Sequence, residues 1–262
     1  MSIVLPFQPA DILPDIRAIA LEAGERIMEV YESEFDVRRK DDKSPVTDAD
    51  QAADMVILNS LKALTPRIPI VTEEQVDAGN VPDVSGGLFW LVDPLDGTKE
   101  FIRKNGEFTV NIALISENRP VLGVVHAPAL DVTYQAAYPE PSTVERDGGL
   151  PEVIEARYPP NGGIVVVSSR SHANNEALSN FLTGVRVRDR ITAGSSLKFC
   201  MIAEGRADLY PRFGRTMEWD VAAAHAVLLG ASGEVELFEG GPMTYGKPGF
   251  ENPHFIARGR QD

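Results

Sequence analysis

The sequence predicts an α+β protein made of two packed systems of helices and strands. Three observations carry that prediction. Helical patterns open the chain, over about 11–32 and again from Asp48 to about Leu64. A block of β character follows, from about Phe108 to Tyr138. Beyond Gly163, short strands and helices alternate to the C-terminus. A chain of 262 residues is long enough for one large domain or two packed ones. The expected division is 1–150 and 151–262.

The first helix rests on Ile12, Ile16, Ile19, Ala20, Ala23, Ile27, Val30 and Tyr31, which share one face at helical spacing. Lys40 to Pro45 is polar and turn-like. In the second helix, Ala52, Val56, Ile57, Leu61 and Leu64 form the expected apolar face, with Asp48 or Asp50 in the first turn. Short strands then end at Glu73 and at Asp93. The β block reads as an antiparallel meander, 108–115, 120–126 and 132–138, with turns at Asn118-Arg119 and Leu130-Asp131. Pro139 to Gly163, rich in Pro, Gly and charge, is the expected boundary. After it, strands are expected at 164–167, 186–192, 208–212, 234–238 and 254–256. Helices are expected at 175–182, 196–204 and 221–229.

Composition narrows the function. The chain is 43% apolar and 24% charged, the balance of an ordinary globule. No apolar run reaches the ~20 residues of a membrane helix, and the N-terminus has no signal-peptide pattern. A cytoplasmic location is expected, with peripheral membrane association and a homodimer both left open. The single cysteine, Cys200, allows neither an internal disulfide nor a cysteine metal cluster, and reads as core. A net charge of −14 argues against a nucleic-acid polymer as partner. It does not argue against a small phosphate ester, because bound cations reverse the local sign.

The chemistry concentrates in carboxylates at the ends of buried elements. Asp93-Pro94-Leu95-Asp96-Gly97-Thr98 follows the apolar run 88–92, Glu73-Glu74 closes an earlier strand, and Trp219-Asp220 opens an Ala-rich helical pattern. Such carboxylates are costly unless a cation meets them, and hard divalent cations prefer oxygen ligands. The set reads as a magnesium site acting on a phosphate ester. Asp93 and Asp96 would each hold a metal, with the Leu95 carbonyl as a further ligand. Gly97 and Thr98 would offer N–H groups to phosphate oxygens. Glu73 and Thr98 would orient and deprotonate the attacking water. The plainer alternative is a turn with a helix cap, which Asp-Pro-x-Asp-Gly often forms. Other phosphate chemistries fit less well. The aspartates are three apart, not the two of a haloacid-dehalogenase nucleophile pair. There is no Gly-rich loop with Lys-Ser/Thr, and no zinc-type His pair.

These residues resemble the lithium-sensitive, magnesium-dependent phosphatases typified by inositol monophosphatase. The resemblance runs through Val46-Thr47, Asp50, Thr72-Glu73-Glu74, 90–98 and Trp219-Asp220. It implies a layered αβαβα sandwich of the inositol monophosphatase/fructose-1,6-bisphosphatase type. It also implies Glu73, Asp93, Leu95, Asp96 and Asp220 as ligands for two or three Mg2+ ions. Thr98 would share the water with Glu73, and Asp50 would support a weaker metal or its waters. Within the family the chain is most similar to the 3′(2′),5′-bisphosphate nucleotidases, through 99–102, 105–115, Ser168 to His172, Gly194 to Cys200, 203–213 and 252–255. That likeness implies hydrolysis of 3′-phosphoadenosine 5′-phosphate to AMP and phosphate.

A second anion site is expected beside the metals. Ser195 and Lys198 would share the first turn of a helix, and Arg212 at a strand end would complete a clamp on the 5′-phosphate. His172 would lie against the adenine. The plainer alternatives are a solvated lysine, an arginine paired at the surface and a loop histidine. Two residues depart from the pattern. Glu218 could repel a substrate phosphate or bind a sugar hydroxyl, and Asp48 adds an acid beside Asp50. An inositol or sugar monophosphatase is the nearest rival reading, and a non-catalytic metal- or nucleotide-binding module is the rival from another class.

Overall fold

The computed structural model describes residues 3, 5–34, 37–39, 45–170 and 176–261. Helices α1 (Pro9–Tyr31) and α2 (Asp48–Leu64) follow each other, with the two-stranded ribbon β1 (Arg38–Arg39) and β2 (Pro45–Val46) between them. Next come β3 (Ile70–Thr72), α3 (Glu73–Asp77), β4 (Leu88–Asp96) and α4 (Thr98–Ile102). The meander is β5 (Thr109–Ser116), β6 (Arg119–Ala127) and β7 (Val132–Ala137), continued by β8 (Thr143–Arg146) and β9 (Glu152–Val153). The remainder is β10 (Ile164–Ser169), α5 (Glu176–Phe181), β11 (Val187–Ala193), α6 (Leu197–Ala203), β12 (Leu209–Arg212), α7 (Ala222–Gly230), β13 (Glu234–Leu237) and β14 (Phe255–Arg258).

Among the described residues, the strands outside the β1–β2 ribbon form two sheets. Strands β3 to β9 make a seven-stranded sheet in sequential order, antiparallel except for the parallel pair β3–β4. The five-stranded sheet has the order β11-β10-β12-β14-β13 and is mixed. Both faces of the large sheet are buried, which explains why its strands read as continuous apolar runs. Trp90, Val92, Val110, Ile112 and Leu114 point to the layer of α1 and α2. Their neighbours Phe89, Leu91, Ala113 and Ile115 point the other way, into a core shared with α6, α7 and the second sheet. Helix α5 and the residue after it cover the outer face of the small sheet through Leu178 and Leu182. The layers are therefore αβαβα.

Helix α7 lies between the sheets and is buried on every side from Ala222 to Leu228, with His225 its one polar residue, hydrogen-bonded to the Tyr245 hydroxyl. Its close approach to β6 depends on Gly123. A Cβ there would stand 2.3 Å from the Ala223 carbonyl oxygen.

Local details differ from expectation. The stretch 139–163 carries β8 and β9, which extend the large sheet to Val153, and the first strand of the second sheet, β10, opens at Ile164. Helix α2 buries Ala49, Ala53, Ile57 and Leu61, a face rotated from the expected one, and Leu64 is exposed. The β5–β6 turn is Glu117-Asn118, both at positive φ (49° and 64°), and Arg119 already belongs to β6. A short helix, α3, starts at Glu73, where only a strand end was expected.

Candidate active site

The carboxylates converge where the two halves of the chain meet. Glu73 opens α3, Asp93 and Asp96 lie on the last residues of β4, and Asp220 precedes α7. One oxygen from each of Glu73, Asp93 and Asp220 lies within 4.8 Å of the others. Bare carboxylates so close repel. Burial, reinforced by Asp96 and Glu73, pushes the Asp220 carboxyl well above the usual range. An all-oxygen set of this kind fits a hard divalent cation, which would remove the repulsion.

Local geometry aims each group. The Leu95 N–H donates to Asp93 Oδ1 at 3.0 Å, closing a tight turn between the aspartates. The Leu95 side chain is buried in the α1–α2 core, yet Leu95 lines the cleft, so what it offers there is main chain. Gly97 follows at φ 95°, and a Cβ there would stand 3.2 Å from the Glu107 carbonyl oxygen. Only glycine satisfies both constraints. The Met217 N–H donates to Asp220 Oδ2 at 2.9 Å.

Asp50 sits at the third position of α2 in a capping box. Its Oδ2 accepts from the Thr47 N–H and the Thr47 hydroxyl, each at 2.8 Å. The Thr98 hydroxyl donates to Asp50 Oδ1 at 3.4 Å. That direction leaves the Thr98 oxygen as an acceptor.

The cleft has a volume of 340 Å³ and is lined by Glu73, Asp93, Asp96 and Asp220 together with Lys198 and Arg212. Lys198 is buried; its ammonium donates to the Ser195 carbonyl and lies 5.4 Å from the Tyr210 ring centroid. Desolvation, opposed by Asp96 and abetted by Arg212, lowers its pKa to about 8. The Arg212 guanidinium is braced by the Gly214 carbonyl at 3.2 Å and the Arg215 carbonyl at 2.9 Å. Among the described residues it pairs with no surface carboxylate.

Other placements differ from expectation. Ser195 precedes α6, outside its first turn, at φ 52°. Its hydroxyl donates to Asp96 Oδ2 at 2.7 Å. His172 lies outside the described residues. Glu218 is fully buried and does not line the cleft. It accepts from the N–H groups of Gly246 (2.7 Å) and Lys247 (2.9 Å) and pairs with the Lys247 ammonium at 2.6 Å. It therefore neither repels phosphate nor binds sugar. Asp48 points outward and pairs with Arg38, away from Asp50.

Sequence reasoning missed Glu107. Its carboxylate takes the Arg170 guanidinium at 2.6 Å and the Gly194 N–H at 2.9 Å, tying the segment after α4 to the second sheet. Nothing in its spacing marks it, because its partners lie 63 and 87 residues away. Arg215 and Ser169, also missed, line the same cleft.

The family model for the inositol monophosphatase family matches residues 10–259. The chain belongs to that family. Among its relatives is the 3′(2′),5′-bisphosphate nucleotidase CysQ of Salmonella typhimurium, 47% identical over 249 residues, 93% of this chain and 98% of the relative. CysQ of Escherichia coli K12 is 46% identical over the same spans. The crystal structure of CysQ from Bacteroides thetaiotaomicron, described as a bacterial member of the inositol monophosphatase family, superposes with a TM-score of 0.80 at 34% identity. It covers 99% of this chain and 100% of that one.

Proposed function

We propose that this chain is a magnesium-dependent 3′(2′),5′-bisphosphate nucleotidase, hydrolysing 3′-phosphoadenosine 5′-phosphate to AMP and phosphate. The observation that carries the reading is one cleft holding two kinds of site. It combines the Glu73–Asp93–Asp220 cluster with two cations, Lys198 and Arg212. A monophosphate substrate needs only the first. The names of the curated relatives support the same substrate class.

Glu73, Asp93, the Leu95 carbonyl, Asp96 and Asp220 would hold two or three Mg2+ ions. Bound magnesium supplies charge neutralisation at the phosphate and acidifies a water. The protein supplies direction. Thr98, its proton committed to Asp50, accepts a hydrogen bond from the attacking water, and Glu73 takes its proton. The Gly97–Thr98 backbone faces the departing phosphate. Lys198 and Arg212 hold the second phosphate and fix which ester faces the carboxylates.

Phosphate release tests the proposal. The substrates are 3′-phosphoadenosine 5′-phosphate, inositol 1-phosphate, fructose 1,6-bisphosphate and histidinol phosphate, each with magnesium, with and without millimolar lithium. The adenosine bisphosphate is expected to be the best substrate and lithium to inhibit. A preference for inositol 1-phosphate would move the reading to a monophosphatase. No turnover on any ester would leave a binding module.

A further inference from the structure

Two residues of β5 stand directly across the ladder from the aspartates of β4. Asn111 pairs with Asp93 and Thr109 with Asp96, on either side of the irregularity between Asp93 and Asp96. Cross-strand partners present their side chains on one face of a sheet. Both Thr109 and Asn111 are buried. Three polar contacts lead from them to the metal cluster. Thr109 Oγ1 lies 3.0 Å from the amide atom placed as Asn111 Oδ1. The Thr109 and Ser195 hydroxyls are hydrogen-bonded. The Ser195 hydroxyl donates to Asp96 Oδ2.

Counting protons gives these contacts a direction. An ionised carboxylate only accepts, so Ser195 gives its one proton to Asp96. Thr109 must then donate to Ser195. With that proton used, the Asn111 amide must donate to Thr109, its nitrogen turned towards that oxygen. The opposite orientation leaves the buried Asn111 Nδ2 without a partner among the described residues, and side-chain amide orientation is set by such networks. The chain of donors runs Asn111, Thr109, Ser195, Asp96. The neighbouring hydroxyl does not replace it, because Ser196 donates to the Asp220 carbonyl at 2.8 Å and is 3.4 Å from Asp96.

We infer that Asn111, Thr109 and Ser195 form a hydrogen-bond relay that orients the Asp96 carboxylate for a divalent cation. Thr109 and Asn111 are thus positioning residues of the metal centre. Ser195 joins the two sites of the cleft, its hydroxyl holding Asp96 and its carbonyl holding the Lys198 ammonium. The inference rests on the metal-dependent reading above. Partners that orient a metal ligand typically change affinity by about 10- to 100-fold.

Calorimetric titration of the metal-free protein with Mg2+, without substrate, tests it. Thr109→Val and Ser195→Gly are expected to weaken Mg2+ uptake at least about tenfold. Thr109→Ser, which keeps the hydroxyl, should restore it. The Mg2+ concentration needed for half-maximal phosphate release should move by the same factor. Glycine suits the positive φ at 195, so Ser195→Gly reads the relay even if Thr109→Val does not fold. Wild-type affinity in the folded variants would overturn the relay and leave the proposed reaction standing. Failure of the wild type itself to take up Mg2+ would overturn the metal-dependent reading.

Discussion

At the scale of single residues, the cleft sets groups of opposite sign against each other. Asp93 is buried within a cluster of carboxylates. Asp93→Asn should abolish phosphate release while leaving the fold as stable or more so, because one buried charge is removed. Circular dichroism and urea melts beside the activity assay check both halves of that statement. Lys198 gives a pH signature. Its pKa is lowered to about 8, so the ammonium is present below that pH and lost above it. KM for the adenosine bisphosphate should be flat below about pH 8 and rise above it, while KM for inositol 1-phosphate stays level across the same range. Lys198→Arg should remove the inflection. An identical profile for both esters would detach Lys198 from the second phosphate.

At the scale of elements, the N-terminus of α2 and the packing of α7 carry separate burdens. The capping box ties helix stability to the site, since Asp50 serves both Thr47 and Thr98. Thr47→Ala should cost about 1 kcal/mol and also lower turnover, because Asp50 loses the hydroxyl donor and keeps only the backbone N–H at 47. A stability loss with unchanged kcat would confine Thr47 to capping. Gly123→Ala should be more damaging, at several kcal/mol, because its Cβ would collide with the α7 backbone at Ala223. A urea midpoint equal to that of the wild type would contradict the close packing of α7 on β6.

Most elements were legible in the sequence because their periodicity is local. Helix α2 begins and ends where the apolar pattern and the acidic first turn indicate. The meander follows from short apolar, β-branched runs separated by turn residues. The less legible features are those in which tertiary partners override local text. The Pro- and Gly-rich segment 139–163 gives no strand signal of its own, and β8 forms because β7 offers its edge. Glu218 looks like a cleft carboxylate until the loop at Gly246 and Lys247 supplies its donors. Ser195 reads as a helix residue, and its hydroxyl is taken instead by an aspartate 99 positions earlier.

At the scale of the whole molecule, stability is linked to both metal and protons. Magnesium that binds only the folded chain should raise its stability by about 2.7 kcal/mol at a hundredfold excess over Kd. Chelation should lower the melting temperature correspondingly. Acid should act through two buried histidines. Burial lowers the pKa of His126 to about 4 and of His225 to about 3. Between those values and the ordinary 6.5, the unfolded chain binds more protons than the folded one. Stability should therefore fall as pH drops below about 6.5, by about 1.4 kcal/mol per unit for each histidine. His126→Gln should flatten the slope in urea melts across that range; an unchanged slope would place the acid sensitivity elsewhere.

The order of residues alone was enough to specify the longer helices, the meander and the carboxylate motif at the end of β4, since these depend on helical periodicity, apolar runs and turn chemistry within a few positions. It also pointed, through resemblance, to the family and its layered architecture. Which atoms meet was settled by packing: the approach of Asp220 to Glu73 and Asp93, the outward turn of Asp48, the burial of Glu218 and the donors to Asp96. Apart from the exposed Asp48–Arg38 pair, those pairings join residues from about 20 to more than 100 positions apart, and a buried polar group commits to a partner because burial has removed water as the alternative.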